Sequence, residues 1–274
     1  MACRRPRVRA PSAPYFALMP QPPDPPLQRT RVESADLAAA WEEHAPEFIA
    51  WARKPDHDSY WRFHRDQFLE LLPPPGRRTL DLGCGEGRLA RDLKGLGHVV
   101  AAVDSSPTML AAAAEADPDL ETHLADAADL PFDDESFDLV VAFMSFQDMD
   151  DFEGAIRETS RVLEPGACLC FSVVHPLASA GRFDGDDPGS PFVIEGSYLA
   201  RSRYVDRIVR GGLEMTFVSE HRPIQAYVDA LGAAGLLVER IRETDVPDAA
   251  ITVPRSRRWL RLPLFLHVRA VRPA

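Results

Sequence analysis

Lysine is almost missing from this 274-residue chain. Only Lys54 and Lys94 occur, and arginine supplies 29 of the 31 basic residues. No apolar run reaches the roughly 18 residues that a membrane-spanning helix needs, so no membrane partner is expected. The four cysteines, Cys3, Cys84, Cys168 and Cys170, and the eight scattered histidines fall into no zinc-like spacing, so no metal site is expected. Basic residues are also missing from one long block: residues 104–153 hold fifteen Asp and Glu and no Lys or Arg. The rest of the chain then carries 27 acids against 31 bases, although the whole has a formal charge of −11. An acidic chain repels polyphosphate, which argues against a nucleic-acid partner.

What is present fits a soluble globular protein: 45% hydrophobic and 27% charged residues. A chain of this length buries roughly three-quarters of its unfolded surface. Cys168 and Cys170 sit two apart in an apolar run, a spacing that puts both on one face of a strand. Buried, unpaired thiols of this kind suit a reducing cytoplasmic compartment. Nothing in the sequence sets the oligomeric state, monomer or homodimer.

Residues 1–30 contain eight prolines and five arginines without any period, and are expected to form a disordered arm. They lack the apolar core of a secretory signal, and Met19 offers an alternative start. Residues 31–75 are expected to form a helical lid. One helix spans about 34–51 with Ser34 as its N-cap candidate, and a second spans about 56–72 before Pro73-Pro74-Pro75-Gly76. Seven of the chain's 23 aromatic residues lie between positions 41 and 68, which fits either helix glue or an apolar cover over a flat substrate.

From residue 76 a core is expected to run to 274. Apolar runs at 78–82, 98–103, 120–124, 137–143 and 167–174 read as strands. Amphipathic stretches at 87–95, 107–116 and 151–163 read as helices. Such alternation predicts a parallel sheet covered on both faces. Residues 176–220 interrupt it as a substrate-side insertion, in which Gly211-Gly212 signals a hairpin between 198–209 and 213–219. A helix over 223–234 and strands at 236–241 and 264–270 complete the chain.

Three motifs carry chemistry. Thr79-Leu80-Asp81-Leu82-Gly83-Cys84-Gly85-Glu86-Gly87 feeds a strand into a glycine turn that opens a helix. Glycines there permit positive φ and close approach of a ligand. A dinucleotide binder usually spaces its glycines Gly-x-Gly-x-x-Gly, and here the third comes one residue early. Next, the run at 99–103 ends in Asp104, placed to accept both hydroxyls of a ribose or to cap the helix that follows. Last, Asp126 follows the third strand, where a carboxylate can accept the amine of a purine.

Together, Asp81 to Gly87, Asp104, Ala125-Asp126-Ala127, Ser136-Phe137-Asp138-Leu139-Val140-Val141 and Arg161-Val162-Leu163-Glu164-Pro165-Gly166 resemble the class I S-adenosylmethionine-dependent methyltransferases. The resemblance spans about residues 77–175. It implies an α/β fold: a doubly wound, seven-stranded, Rossmann-like sheet, here with an N-terminal helical lid and a hairpin insertion. It also implies S-adenosylmethionine as cofactor. Gly83, Cys84 and Gly85 would run past its methionine portion, Asp104 would hold the ribose, and Ser105 and Met109 would flank the adenosine. Asp126 and Ala127 would meet the adenine, and Met144 would sit near the sulfonium. The flanks, among them Trp51 to Trp61, Val174-His175-Pro176 and Ser219 to Pro223, look like a bacterial group acting on small aromatic or heteroaromatic natural products, indoles among them. Ser145-Phe146-Gln147-Asp148 departs from the histidine or proline motif that many relatives place there.

Methyl transfer needs alignment above all, and a weakly acidic nucleophile also needs a base. His175, His221, Tyr60 and Glu220 are the catalytic candidates, as a Tyr–Glu–His relay, with Glu195 and Glu214 behind them. The small-molecule methyltransferase has two rivals: a nicotinamide-dependent oxidoreductase and a non-catalytic cofactor-binding regulator.

Overall fold

The computed structural model describes residues 27–251 and 254–274. Most of the proposed arm, with Cys3 and Met19, lies outside the described residues. Twelve strands are described: β1 (Gln28–Val32), β2 (Thr79–Leu82), β3 (Val100–Asp104), β4 (Glu121–Leu124), β5 (Phe137–Phe143), β6 (Leu163–Val174), β7 (Gly181–Phe183), β8 (Phe192–Ile194), β9 (Ser202–Arg210), β10 (Leu213–His221), β11 (Leu237–Glu243) and β12 (Phe265–Val271). Seven form the central sheet in the order β4-β3-β2-β5-β6-β12-β11. β2 through β6 pair in parallel, and β12 runs antiparallel to both its neighbours. The doubly wound, seven-stranded sheet expected from the sequence is the one observed.

Helices cover both faces because the central strands are apolar on both. The helices are α1 (Leu37–Glu43), α2 (Ala45–Ala52), α3 (Arg65–Leu69), α4 (Arg88–Gly95), α5 (Pro107–Ala116), α6 (Phe152–Val162), α7 (Pro176–Ala180) and α8 (Ile224–Ala233). Side chains of α6 and α8, including Phe152, Ile156, Tyr227 and Leu231, pack against Val140, Leu169 and Phe171. On the opposite face, α3, α4 and α5 bring Phe68, Leu93 and Leu110 against Ala102, Val141, Cys168 and Cys170. The two thiols share one face, as their spacing requires.

The lid differs from expectation in four ways. Its first helix is two, broken at His44, because Pro46 has no N–H to donate and its ring crowds the carbonyl of Glu42. Asp36, not Ser34, caps α1 through the Ala39 N–H at 2.9 Å. The second helix is a π-helical turn over Tyr60–His64 running into α3. The lid is also not purely helical, since β1 pairs with β9, and β9 with β10, in a three-stranded antiparallel sheet. The strand ends of 28–32 and the 176–220 insertion therefore form a single cover. Gly211 and Gly212, at φ 52° and 82°, make the hairpin turn that the dipeptide signals. No helix among the described residues is long and apolar enough to cross a membrane.

Phe171 is fully buried at the centre of β6, edge-on to Phe146 and against Tyr227. Phe171→Ala is expected to cost about 3–5 kcal/mol of stability, the usual range for emptying an aromatic site. Urea denaturation checks this, and a loss below 1 kcal/mol would contradict the packing described.

Candidate active site

The sheet order reverses between β2 and β5, and open α/β sheets bind ligands at such a point, beyond the carboxyl ends of the strands. The glycine turn after β2 lies here. Its Gly83 and Cys84 N–H groups donate to the Val103 carbonyl at 2.8 and 3.0 Å. Gly83 has φ 71°, and a Cβ on it would fall 2.4 Å from the Cβ of Ser145. Ser145 in turn donates its hydroxyl to the Leu82 carbonyl at 2.7 Å. The turn and the loop after β5 are thus pressed together, and only glycine fits between them.

Asp104 closes the next strand. Its Oδ2 accepts the Gly85 N–H at 2.7 Å and its Oδ1 the Ser106 N–H at 2.9 Å. Burial raises its pKa, while these amide donors pull it down. The cap of α5 is Ser106, through the Met109 N–H, so Asp104 does not cap that helix. Glu42 of α1 accepts the hydroxyls of Ser106 and Thr108 and ties the lid to this loop. Asp81 is 1% exposed, and its Oδ2 has no partner. Burial first and the neighbouring Asp104 second push its pKa up to about 7. Asp126 holds its own turn through the Ala128 N–H at 2.8 Å. Met144 sits at φ 59°, an uncommon backbone for a residue with a side chain, and its N–H donates to Ser172.

These groups open into one cavity of about 1180 Å³. Drug-sized ligand sites span about 300–1,000 Å³, so there is room for more than one small molecule. Every residue expected at the cofactor lines it: Asp81, Gly83, Cys84, Gly85, Asp104, Ser105, Met109, Asp126, Ala127 and Met144. An orphaned buried carboxyl oxygen, a cradle without side chains and three acids suit a ligand that carries positive charge and hydroxyls. S-adenosylmethionine has both, in its ammonium, its sulfonium and its ribose.

The catalytic candidates fare differently. Tyr60 lines the cavity with its ring, beneath the Arg88 guanidinium at 4.1 Å, but donates its hydroxyl to Asp92 at 2.7 Å. Burial and that bond hold its pKa far above the usual phenol value. His175, His221 and Glu220 do not line the cavity. His175 caps α7 through the Leu177 N–H, and its Nε2 meets Glu243 at 3.0 Å. The His221 Nδ1 bonds the Ser179 hydroxyl at 2.7 Å, and its Nε2 donates to the Tyr198 carbonyl at 2.9 Å. Glu220 accepts from the buried Arg222 at 2.6 Å. Capping and lid architecture account for all three, and the relay is not assembled. Glu195 and Glu214 are also absent from the wall.

In their place the tertiary structure brings Asp148 to the cavity. Its Oδ1 accepts the Ser219 hydroxyl at 2.6 Å, and its Oδ2 accepts from Gln147 at 3.0 Å. Burial pushes its pKa up to about 8, against the pull of Ser219, Gln147 and Arg222. The available signal was an acid ending an uncharged run, 139–147, directly past a strand. Also on the wall is the bidentate Arg29–Asp206 pair, at 2.8 and 2.6 Å, which joins β1 to β9 beside Tyr204.

Residues 80–171 match the methyltransferase domain family. An uncharacterized methyltransferase of Mycobacterium tuberculosis is 41% identical over 99 residues, 36% of this chain and 40% of that one. The demethylmenaquinone methyltransferase of Corynebacterium glutamicum is 36% identical over 112 residues, 41% and 47% of the two chains. The matched segments span about half or less of these curated relatives. Among solved structures, an S-adenosylmethionine-dependent methyltransferase of Mesorhizobium loti superposes with a TM-score of 0.65 at 28% identity, over 79% of this chain and 99% of that one. Residues 80–171 thus match a methyltransferase domain, in a fold that is similar to solved S-adenosylmethionine-dependent methyltransferases.

The raised pKa of Asp148 has a consequence for stability. Its folded value of about 8 lies above the ordinary 3.8, so the folded state binds the proton more tightly. The stabilisation is complete at low pH and is lost as pH rises through 8. Asp148→Asn is therefore expected to gain on the wild type in melting temperature between about pH 4 and 8 and to keep a constant gap above. Thermal melts across pH 4–9 check this, and a gap that ignores pH contradicts it.

Proposed function

We propose that this protein transfers the methyl group of S-adenosylmethionine to a small, flat, largely apolar acceptor, of aromatic or heteroaromatic type, in the cytoplasm. The observation that carries this is the single cavity. Its wall carries the glycine turn and the acids together with the apolar side chains of Phe143, Phe183, Trp259, Phe265, Ile208 and Phe217. Phe183 and Trp259 stand edge to face at 5.0 Å, an arrangement that presents ring surface to a planar guest. The acceptor named for the Corynebacterium relative fits the same class.

In-line displacement asks the protein mainly to align the nucleophile with the methyl carbon and the sulfur, worth up to about 7–11 kcal/mol. S-adenosylmethionine, when bound, supplies the activated methyl. Asp81 would hold the ammonium, the backbone of the 83–85 turn would run past the methionine portion, and Asp104 and Asp126 would hold the ribose and adenine. The lid strands exclude water, which strengthens every polar contact inside.

Calorimetry with S-adenosylhomocysteine and with NADH tests the assignment. Binding of S-adenosylhomocysteine alone is expected, and binding of NADH alone overturns it in favour of an oxidoreductase. Asp104→Asn, which removes a charged hydrogen-bond acceptor, is expected to weaken S-adenosylhomocysteine by about 10- to 100-fold.

A further inference from the structure

We propose that Asp148 is the catalytic base and that the acceptor belongs to the class bearing an ionisable N–H or O–H on, or conjugated to, the atom that is methylated. This deepens the methyl-transfer assignment above and rests on it.

Elimination points to Asp148 first. Of the other carboxylates on the wall beyond the glycine turn, Asp206 is committed to Arg29, Asp58 to Arg88 and Asp186 to Arg258, and Asp56 is exposed to solvent. Asp150 caps α1 and pairs with Arg203. Tyr60 gives its proton to Asp92. His64 bonds Ser172 through Nε2 at 2.8 Å and stacks on Phe265 at 3.6 Å. Asp148 forms no ion pair among the described residues; Ser219, Gln147 and the Trp41 indole bear on its carboxylate, which as an acceptor of about four hydrogen bonds has capacity left for a ligand.

Position points the same way. Asp148 lies three residues past Ser145, which presses on Gly83 of the cofactor turn. Beside it, Gln147 spends its amide N–H groups on Met144 and Asp148, which leaves its Oε1 buried and without a partner. The Asp148 carboxylate is thus the acceptor this wall offers to the cavity, a match for a ligand that arrives with a donor. The titratable and charged groups around Asp148 are Arg222 at the start of α8, Tyr227 on α8 and Tyr204 on β9. Arg222 donates to the Phe146 and Met149 carbonyls and to Glu220, so its charge is already engaged.

The step balances. The acceptor's lone pair forms a bond to the methyl carbon, and the carbon–sulfur bond breaks with its electron pair moving to sulfur. The acceptor's proton passes to an Asp148 oxygen. One positive and one negative charge vanish together, which is favourable in a chamber that solvates neither well.

The test follows labelled methyl transfer to indole, 2-naphthol and quinoline across pH 5–10. Quinoline's nitrogen is methylated without loss of a proton, so it needs no base. Wild type is expected to methylate a proton-bearing acceptor with kcat/KM rising as Asp148 ionises. Asp148→Asn should lower that rate by about 10²–10³-fold and abolish the rising limb, with S-adenosylhomocysteine affinity unchanged by calorimetry. Asp148→Glu should restore part of the rate. Ser219→Ala removes a donor that stabilises the carboxylate and should move the limb to higher pH. Retention of rate and limb in Asp148→Asn overturns the inference. So does a variant whose loss is matched by loss of cofactor-product binding, or a wild type that binds S-adenosylhomocysteine but methylates only quinoline or nothing. A wild type that fails to bind S-adenosylhomocysteine overturns the methyl-transfer assignment instead.

Discussion

The contact between Gly83 and Ser145 governs the rest of this molecule. Two loops leave neighbouring parallel strands at the point where the sheet order reverses. They approach so closely that a single added carbon on Gly83 would collide with Ser145. That closeness lets the turn aim the Gly85 N–H at Asp104. It also sets where the loop after β5 can go, and so places Met144, Gln147 and Asp148. The glycine turn binds nothing by itself. Its geometry exists because β2 is hydrogen-bonded between β3 and β5 and buried on both faces.

Acids are prominent in the cavity wall. The acid-rich block of residues 104–153 contributes Asp104, Asp126, Asp148 and Asp150, and β2 adds Asp81. Burial makes Asp81 and Asp104 hold protons more readily than usual, although backbone amides on Asp104 pull the other way. A cationic ligand relieves that cost, which is the physical reason that the acids and a sulfonium cofactor suit one another. Most of the other acids in the block face solvent or form salt bridges on the surface, such as Asp134 to Arg161 and Glu153 to Arg201, each worth little by itself.

The cover over the cavity is built by sequence-distant pieces. Arg29 in β1 grips Asp206 in β9 and the carbonyls of Ala178, Ser179 and Gly181 at the end of α7. Trp41 of α1 donates to Val218, and Lys54 reaches the turn carbonyl of Gly211. Each bond spans well over a hundred residues, so no local pattern announces it. A strand as short as β1, rich in arginine and beside a proline-rich stretch, carries no periodic signal. The aromatic residues of 41–68 were legible as lid material, but two facts were not. Pro46 splits the first helix, and Tyr60 turns its hydroxyl away from the ligand to Asp92.

The sequence by itself determined the order of strands and helices in the central sheet and its flanking layers, the glycine turn and the acids in or just past three strands. Those features follow from local chemistry: side-chain period, backbone freedom at glycine, and the position of a residue at the end of an apolar run. Only the tertiary structure decided which polar side chains see the cavity. In β10, alternation turns Phe217 and Ser219 inward and Glu220 away. His221 shares their parity but lies at the strand's end, where Ser179 and Tyr198 hold it. His175 sits at the right edge of the sheet yet serves as a helix cap. A histidine in a promising segment is thus no evidence of a base, since direction and partner depend on register and on chain packed from elsewhere.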